Sequence, residues 1–260
     1  MNLYCLVLII VCFCQNLLQN QAYNYCYYKD GDKKNPCPEG STHIVCDPDT
    51  IPRKSKLISI VPMTEKMKNL IMDATNEHRN KLACGEISTD GVNFPTATRM
   101  RLVIWDDELE YIAKAAVQQC NMVHDKCRNK QHKNGCGQNM GSMGPGDQEL
   151  LHISSLFPRL WFSEYENVEN VTYLPKLYPT WNEKVIGHFT GMVNDRISRI
   201  GCAFSKCEAG WVIACNYDYT NMVGAIVYDD GDVGSKCSDW ETGLSARYKC
   251  LCENSGKIFE

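Results

Sequence analysis

The chain has 260 residues, with 27 Lys and Arg against 31 Asp and Glu, a formal net charge of -4. That balance is mild, and no basic run or patch is visible. Nothing in the charge supports nucleic acid or an anionic membrane surface as a partner. Sixteen cysteines leave one question open: in the cytosol that density points to metals, and in an oxidising compartment it points to disulfides.

The leader MNLYCLVLIIVCFCQNLLQNQA answers it. Leu3 to Cys14 is an almost unbroken apolar run, too short for a bilayer core that needs about 20 residues and of the length of a secretory signal's apolar region. The flank lacks Lys or Arg, and the alternative is a buried N-terminal strand. Residues 1–22 are read as a signal peptide cleaved after Ala22. No later segment could span a membrane, so the mature protein is expected to be soluble, secreted and extracellular. Cys5, Cys12 and Cys14 leave with the signal, and 13 of the 16 cysteines remain. The number is odd, so at least one thiol is unpaired or pairs with another molecule. About 240 mature residues suffice for one core with small appendages.

Residues 23–62 open the mature chain as a cysteine-bearing, Gly/Pro/Asp-rich extension without sustained periodicity. Thr64 then caps a predicted helix whose Met67, Leu70, Ile71, Ala74 and Leu82 share one face, with Gly85 as the stop. A second helix starts at Asp106 or Asp107, and its stripe of Leu109, Ile112, Ala113, Ala116, Val117 and Cys120 runs on to Val123 and His124. GCGQNMGSMGPG, from Gly135 to Gly146, reads as a strand entering a Gly-rich loop, without the glycine pattern of a phosphate cradle. A short helix is predicted around Leu160–Val168, with Pro158 suited to its first turn, and another over Val185–Asn194. Arg199–Ser205 and Trp211–Tyr217 make a hairpin, and Gly224–Tyr228 a third strand. Cys237, Cys250 and Cys252 mark a short tail, 229–260. Helices and antiparallel strands are intermixed without a βαβ repeat, which defines an α+β class.

The stretch CNMVHDKCRNKQHKNGC, Cys120 to Cys136, holds three cysteines and two histidines. It lacks the paired C-x2-C unit of a structural zinc site, and exported thiols oxidise before they collect zinc. His124 follows Cys120 by one helical turn, so it is either a satisfied core histidine or part of a cavity.

RLVIWDDELEYIAKAAVQQC, followed by HDKC and GQNM, resembles the core of the CAP superfamily, the cysteine-rich secretory, antigen-five and pathogenesis-related proteins. GHFTGMVNDRISRIGCA and CNYDYTNMVGAIVY resemble its two signatures, RNKLACG the end of its first helix, and LWFSEYENV its tryptophan-to-glutamate motif. The resemblance runs from Met63 to Cys252, and the extension is similar to that of insect antigen-five proteins. It implies a CAP domain over 63–228: a three-layer α-β-α sandwich with a central antiparallel sheet and a cavity.

Residue by residue, the resemblance places His124, Glu164 and His188 in that cavity. Gln138 stands where the family carries a second acid. The amide removes a charge and a titratable group, yet it can still orient a neighbour. No cofactor is required. Were zinc to bind, His124, Glu164 and His188 would be its ligands, with an open position. No hydrolase motif supplies a nucleophile, and Thr190 beside His188 reads as a helix residue. The family's first-helix histidine is Thr75 here, while His78 is new and expected to be solvated, as is His132.

The resemblance also implies the disulfides Cys26–Cys46, Cys37–Cys127 and Cys202–Cys215. Cys84 is a replacement partner for Cys120, Cys237 pairs with Cys250 or Cys252, with Cys237–Cys252 preferred, and Cys136–Cys207 is the least supported pair. Asn170-Val171-Thr172 is an N-glycosylation sequon. The function expected is a non-enzymatic, monomeric secreted protein that binds a small hydrophobic ligand, a sterol, fatty acid or similar, in or beside the cavity. The loop Tyr165 to Lys184 is a candidate contact or simply a surface loop. The alternative is a protein-binding effector of saliva, venom or reproductive fluid, with the Asp229, Asp230 and Asp232 turn as one contact surface. A metal-dependent hydrolase ranks third.

Overall fold

The computed structural model describes residues 23–26, 37–131, 135–176, 178–179 and 183–258. The leader 1–22 and His132 lie outside them. Four strands form the main antiparallel sheet: β1 (Leu57–Ile60), β5 (Gly137–Met143), β6 (Arg199–Cys207) and β7 (Gly210–Tyr217), in the order β1-β6-β7-β5. The two-residue strand β4 (Ile104–Trp105) adds in parallel to β6, and β2 (Ser88–Thr89) pairs with β3 (Val92–Asn93) in a separate hairpin.

Alternation along the strands builds the layers. Ala203, Val212, Ala214 and Met140 point to one face, where Ala113 and Val117 of helix α2 (Asp107–Val117) pack on them. Ala203 and Ala214 are small because the helix sits close. A Cβ added at Gly201 would lie 2.3 Å from the Glu110 amide nitrogen. Cys202, Phe204, Ile213, Cys215 and Tyr217 point the other way. There they meet helices α1 (Glu65–Ala83), α3 (Leu150–Phe162) and α4 (Gly187–Met192) through Met67, Ile71, Phe157, Trp161, Phe189 and Met192. Each large apolar side chain buried there contributes about 1.5–3 kcal/mol. This is the expected three-layer α-β-α sandwich. Arg79 of α1 is fully buried, and its guanidinium donates to the carbonyls of Arg101, Met192 and Asn194. It thereby ties the α4 exit to the strand entering α2.

The helix expected to carry His124 stops seven residues short of it. Cys120 takes φ +50, and its amide bonds back to Val117. His124 therefore stands on a loop, while Cys120 turns toward the end of β6 and joins Cys207. This corrects the pairs Cys84–Cys120 and Cys136–Cys207. Cys84, at the C-cap of α1, bridges instead to Cys250 in the tail, and Cys136 is not bridged to Cys207. The other bridges are Cys26–Cys46, Cys37–Cys127, Cys202–Cys215 and Cys237–Cys252.

Helix α3 begins ten residues before the predicted start, and Pro158 lies inside it. Ile153, Phe157 and Trp161 make its buried stripe, with Leu150 partly buried against the same core. Packing of that stripe outweighs the lost amide hydrogen bond at Pro158. Gly224–Tyr228 is not a strand. Its backbone bonds to the preceding loop, Gly224 to Tyr178 and Val227 to Pro175, while Val227 and Tyr228 fill the core.

Candidate functional site

Two histidines lie by the start of β5, where Gln138 bonds to one and Asn139 to the carbonyl of the other, and each is held by a different device. His188 lies in the first turn of α4, on the loop side of Trp161, whose ring it stacks at 6.1 Å. Glu164, in the single 3-10 turn after α3, reaches across to it. Glu164 Oε2 accepts the His188 and Phe189 amides at 2.9 and 3.1 Å, and Oε1 accepts His188 Nδ1 at 2.6 Å. A carboxylate thus satisfies the orphan amides at the start of α4 and favours its positive end. Since a carboxylate only accepts, it also fixes Nδ1 as the donor.

His124 is held by Gln138. Its Nδ1 lies 2.7 Å from Gln138 Oε1. The amide orientation follows from its other end, where Gln138 Nε2 donates to Asp125 Oδ1 at 3.1 Å and to Asn216 Oδ1 at 3.0 Å. Asn216 donates in turn to the Leu109 carbonyl, and Arg128 pairs with Asp125 at 3.0 Å. The chain of donors forces a proton onto His124 Nδ1 as well. Although one edge of the His124 ring is open to solvent, its contact with the protein desolvates the charged form and lowers its pKa. The Gln138 bond and Asp125 oppose this, while Arg128 and His188 add to it.

The site thus presents two imidazoles whose Nδ1 atoms are committed as donors, to Gln138 and to Glu164. The expected set His124, Glu164 and His188 does not assemble as three metal ligands. Both Glu164 oxygens are spent on α4 and on His188, and no group of three His, Cys, Asp or Glu side chains among the described residues is arranged to hold a metal. Thr190 bonds to the Ile186 carbonyl, as a helix residue does. Among the described residues the imidazoles' side-chain partners are Gln138 for His124 and Glu164 for His188.

Two concavities lie elsewhere. A groove of about 410 Å³ runs between α1 and the end of α3, lined by His78, Lys81, Glu86, Ile87, Arg159, Phe162, Ser163, Tyr165 and Glu166. His78, expected to be solvated, stacks on Phe162 at 4.4 Å instead. Burial, with Lys81 and Arg159 nearby, pushes its pKa down to about 4. Its Nδ1 is buried with no hydrogen-bond partner among the described residues. None of the sequence-predicted cavity residues lines this groove. The signal for it was the helical spacing of Arg159 and Phe162 against His78 and Lys81, visible only once α3 is extended back to Leu150. A second cavity of about 260 Å³, beside the Cys120–Cys207 bridge, is lined by Met122, Met143 and Trp211 among others.

A disulfide-rich α-β-α sandwich with paired histidines at the sheet end defines a class, and the chain belongs to the CAP, or cysteine-rich secretory protein, family, whose model matches residues 72–217. Venom allergen-1 of Aedes aegypti is 35% identical over 76% of this chain and 76% of its own length. Antigen 5 like allergen Cul n 1 of Culicoides nubeculosus is 38% identical over 70% of this chain and 83% of its own. Among solved structures, NaASP2 with Zn2+ superposes with a TM-score of 0.64 at 25% identity, over 73% of this chain and 96% of that one.

Proposed function

We propose that the protein is an exported, non-catalytic carrier of a small amphipathic lipid, bound in the groove between α1 and α3. The groove itself carries this reading. Its volume of about 410 Å³ falls within the range of ligand pockets. Ile87, Phe162 and Tyr165 give it an apolar floor, and Lys81 and Arg159 supply cations at the rim. With a pKa of about 4, His78 is neutral near pH 7 and adds an apolar ring face. Glu86 and Glu166 line the same groove, so an anionic head belongs on the Lys81 and Arg159 side. That chemistry fits a fatty acid carboxylate better than the uncharged hydroxyl of a sterol. Displacement of a fluorescent fatty acid, compared between the wild type and the Lys81→Glu, Arg159→Glu double variant, tests it. At least tenfold weaker binding is expected, and equal binding rejects the groove.

Export rests on the leader, on the six disulfides and on relatives named as venom allergens. No helix among the described residues is long and apolar enough to cross a membrane. A protein-partner role is the second reading. Val185, Met222, Val223 and Ile226 are about half exposed or more, and Asn221 ties their two loops together through the Gly187 carbonyl. Their substitution by serine would abolish partner binding but leave lipid uptake unchanged.

A further inference from the structure

His43 lies in the N-terminal extension, 5% exposed, with both ring nitrogens engaged. Its Nδ1 accepts the Val45 amide at 3.2 Å, and its Nε2 lies 2.9 Å from the Asn129 carbonyl. An amide only donates and a carbonyl only accepts, so the two contacts admit a single neutral tautomer, protonated at Nε2. Tyr25 stacks on the ring at 4.7 Å, and its hydroxyl donates to Glu108 of α2 at 2.7 Å. The adjacent Ile44 amide donates to the Cys127 carbonyl at 3.0 Å. The extension and the segment 125–129 therefore hold each other through neighbouring residues. That segment follows His124 directly, and its Asp125 anchors Gln138.

We propose that neutral His43 is a pH-sensitive latch, which holds the extension on the segment after His124 and so positions that histidine, and which opens on acidification. Protonation would put a hydrogen on Nδ1, facing the Val45 N–H, and replace an acceptor with a second donor. The groups around the ring agree with a neutral closed state. Burial is the largest influence and favours the neutral ring. The Asn129 carbonyl and the Asp125 and Glu108 carboxylates oppose it, Arg128 reinforces it, and Tyr25 stacks on the ring. The balance leaves His43 below the ordinary histidine value.

Once open, His43 regains a pKa of about 6.5. The latch is therefore complete above that pH and weakens as pH falls from there toward the lower closed-state value. For one proton, the open population grows by at most about tenfold per pH unit. Cys26–Cys46 and Cys37–Cys127 keep the extension tethered, so opening is local and reversible.

Amide hydrogen exchange of the full mature protein, measured from about pH 7.5 to about 5 and corrected for intrinsic rates, tests the latch. Protection at Ile44 and Val45 should fall several-fold per unit below about 6.5, while the β6 and β7 amides stay protected. His43→Asn keeps an oxygen acceptor near the Nδ1 position but does not titrate, and it should give a flat profile. A flat profile in the wild type, or the same fall in His43→Asn, overturns the proposal. If that variant is not secreted, the NMR titration of His43 in the wild type decides: a midpoint at or above about 6.5 rejects the latch.

Discussion

Gln138 Nε2 lies 3.1 Å from Asp125 Oδ1, and that contact explains why position 138 carries an amide. A carboxylate there would face a buried carboxylate at hydrogen-bond distance and the Asn216 carbonyl oxygen beside it. One of the two acids would have to take up a proton.

Gln138→Glu is expected to cost about 2 kcal/mol or more near neutral pH, from like-charge contact and a lost donor. The sign of its pH dependence follows. The folded state raises a carboxyl pKa above its unfolded value, so the penalty is greatest above that folded pKa and shrinks as pH falls through it. Urea unfolding at about pH 7.5 and about pH 5 measures both deficits. Equal deficits would show that Asp125 does not set the choice of residue.

His78 should titrate with an NMR midpoint of about 4, held down by burial against Phe162. Its folded pKa lies below the unfolded value of about 6.5, so the ring withdraws stability as pH drops from about 6.5 toward 4. A midpoint near 6.5 would mean a solvated ring and no closed wall to the groove.

Cys136 should be inert in the folded protein, because it is 4% exposed and burial pushes its thiol pKa up to about 12. Iodoacetamide should label no cysteine of the native protein and Cys136 alone after denaturation without reductant. Labelling at Cys120 or Cys207 would contradict the bridge between them.

Asn170 should carry a glycan when the protein is made in a secretory host. The residue is exposed, and its Oδ1 accepts the Thr172 hydroxyl at 2.9 Å and the Tyr173 amide at 3.0 Å. Attachment through Nδ2 leaves this turn intact. Glycopeptide mass spectrometry should find the modification, lost in Thr172→Ala. Full recovery of an unmodified peptide would refute it.

Sequence and structure part company at identifiable residues. The motifs around His124, Gln138, Glu164 and His188 were legible because each is local, and the hairpin of β6 and β7 because its alternation is regular. The helix limits were not. Nothing in the periodicity marked the left-handed turn at Cys120, which tertiary bridging to Cys207 enforces. Pro158 concealed the first two turns of α3, because a proline ordinarily opens or breaks a helix and here packing retains it. With those turns hidden, Arg159 and Phe162 could not be set against His78, and the groove went unseen. Cysteine partners fail for a related reason: Cys84 and Cys250 are 166 residues apart in sequence, and only the fold brings them together.

The most direct test of the central claim is mass spectrometry on an organic extract of the protein purified from a eukaryotic secretory host. Stoichiometric fatty acid in the wild type, lost in the Lys81→Glu, Arg159→Glu variant, is the predicted result. An extract without lipid, from a protein that also takes up neither fatty acid nor sterol when offered, would contradict a lipid-carrying groove and leave the exposed Val185 and Met222 loops as the functional surface.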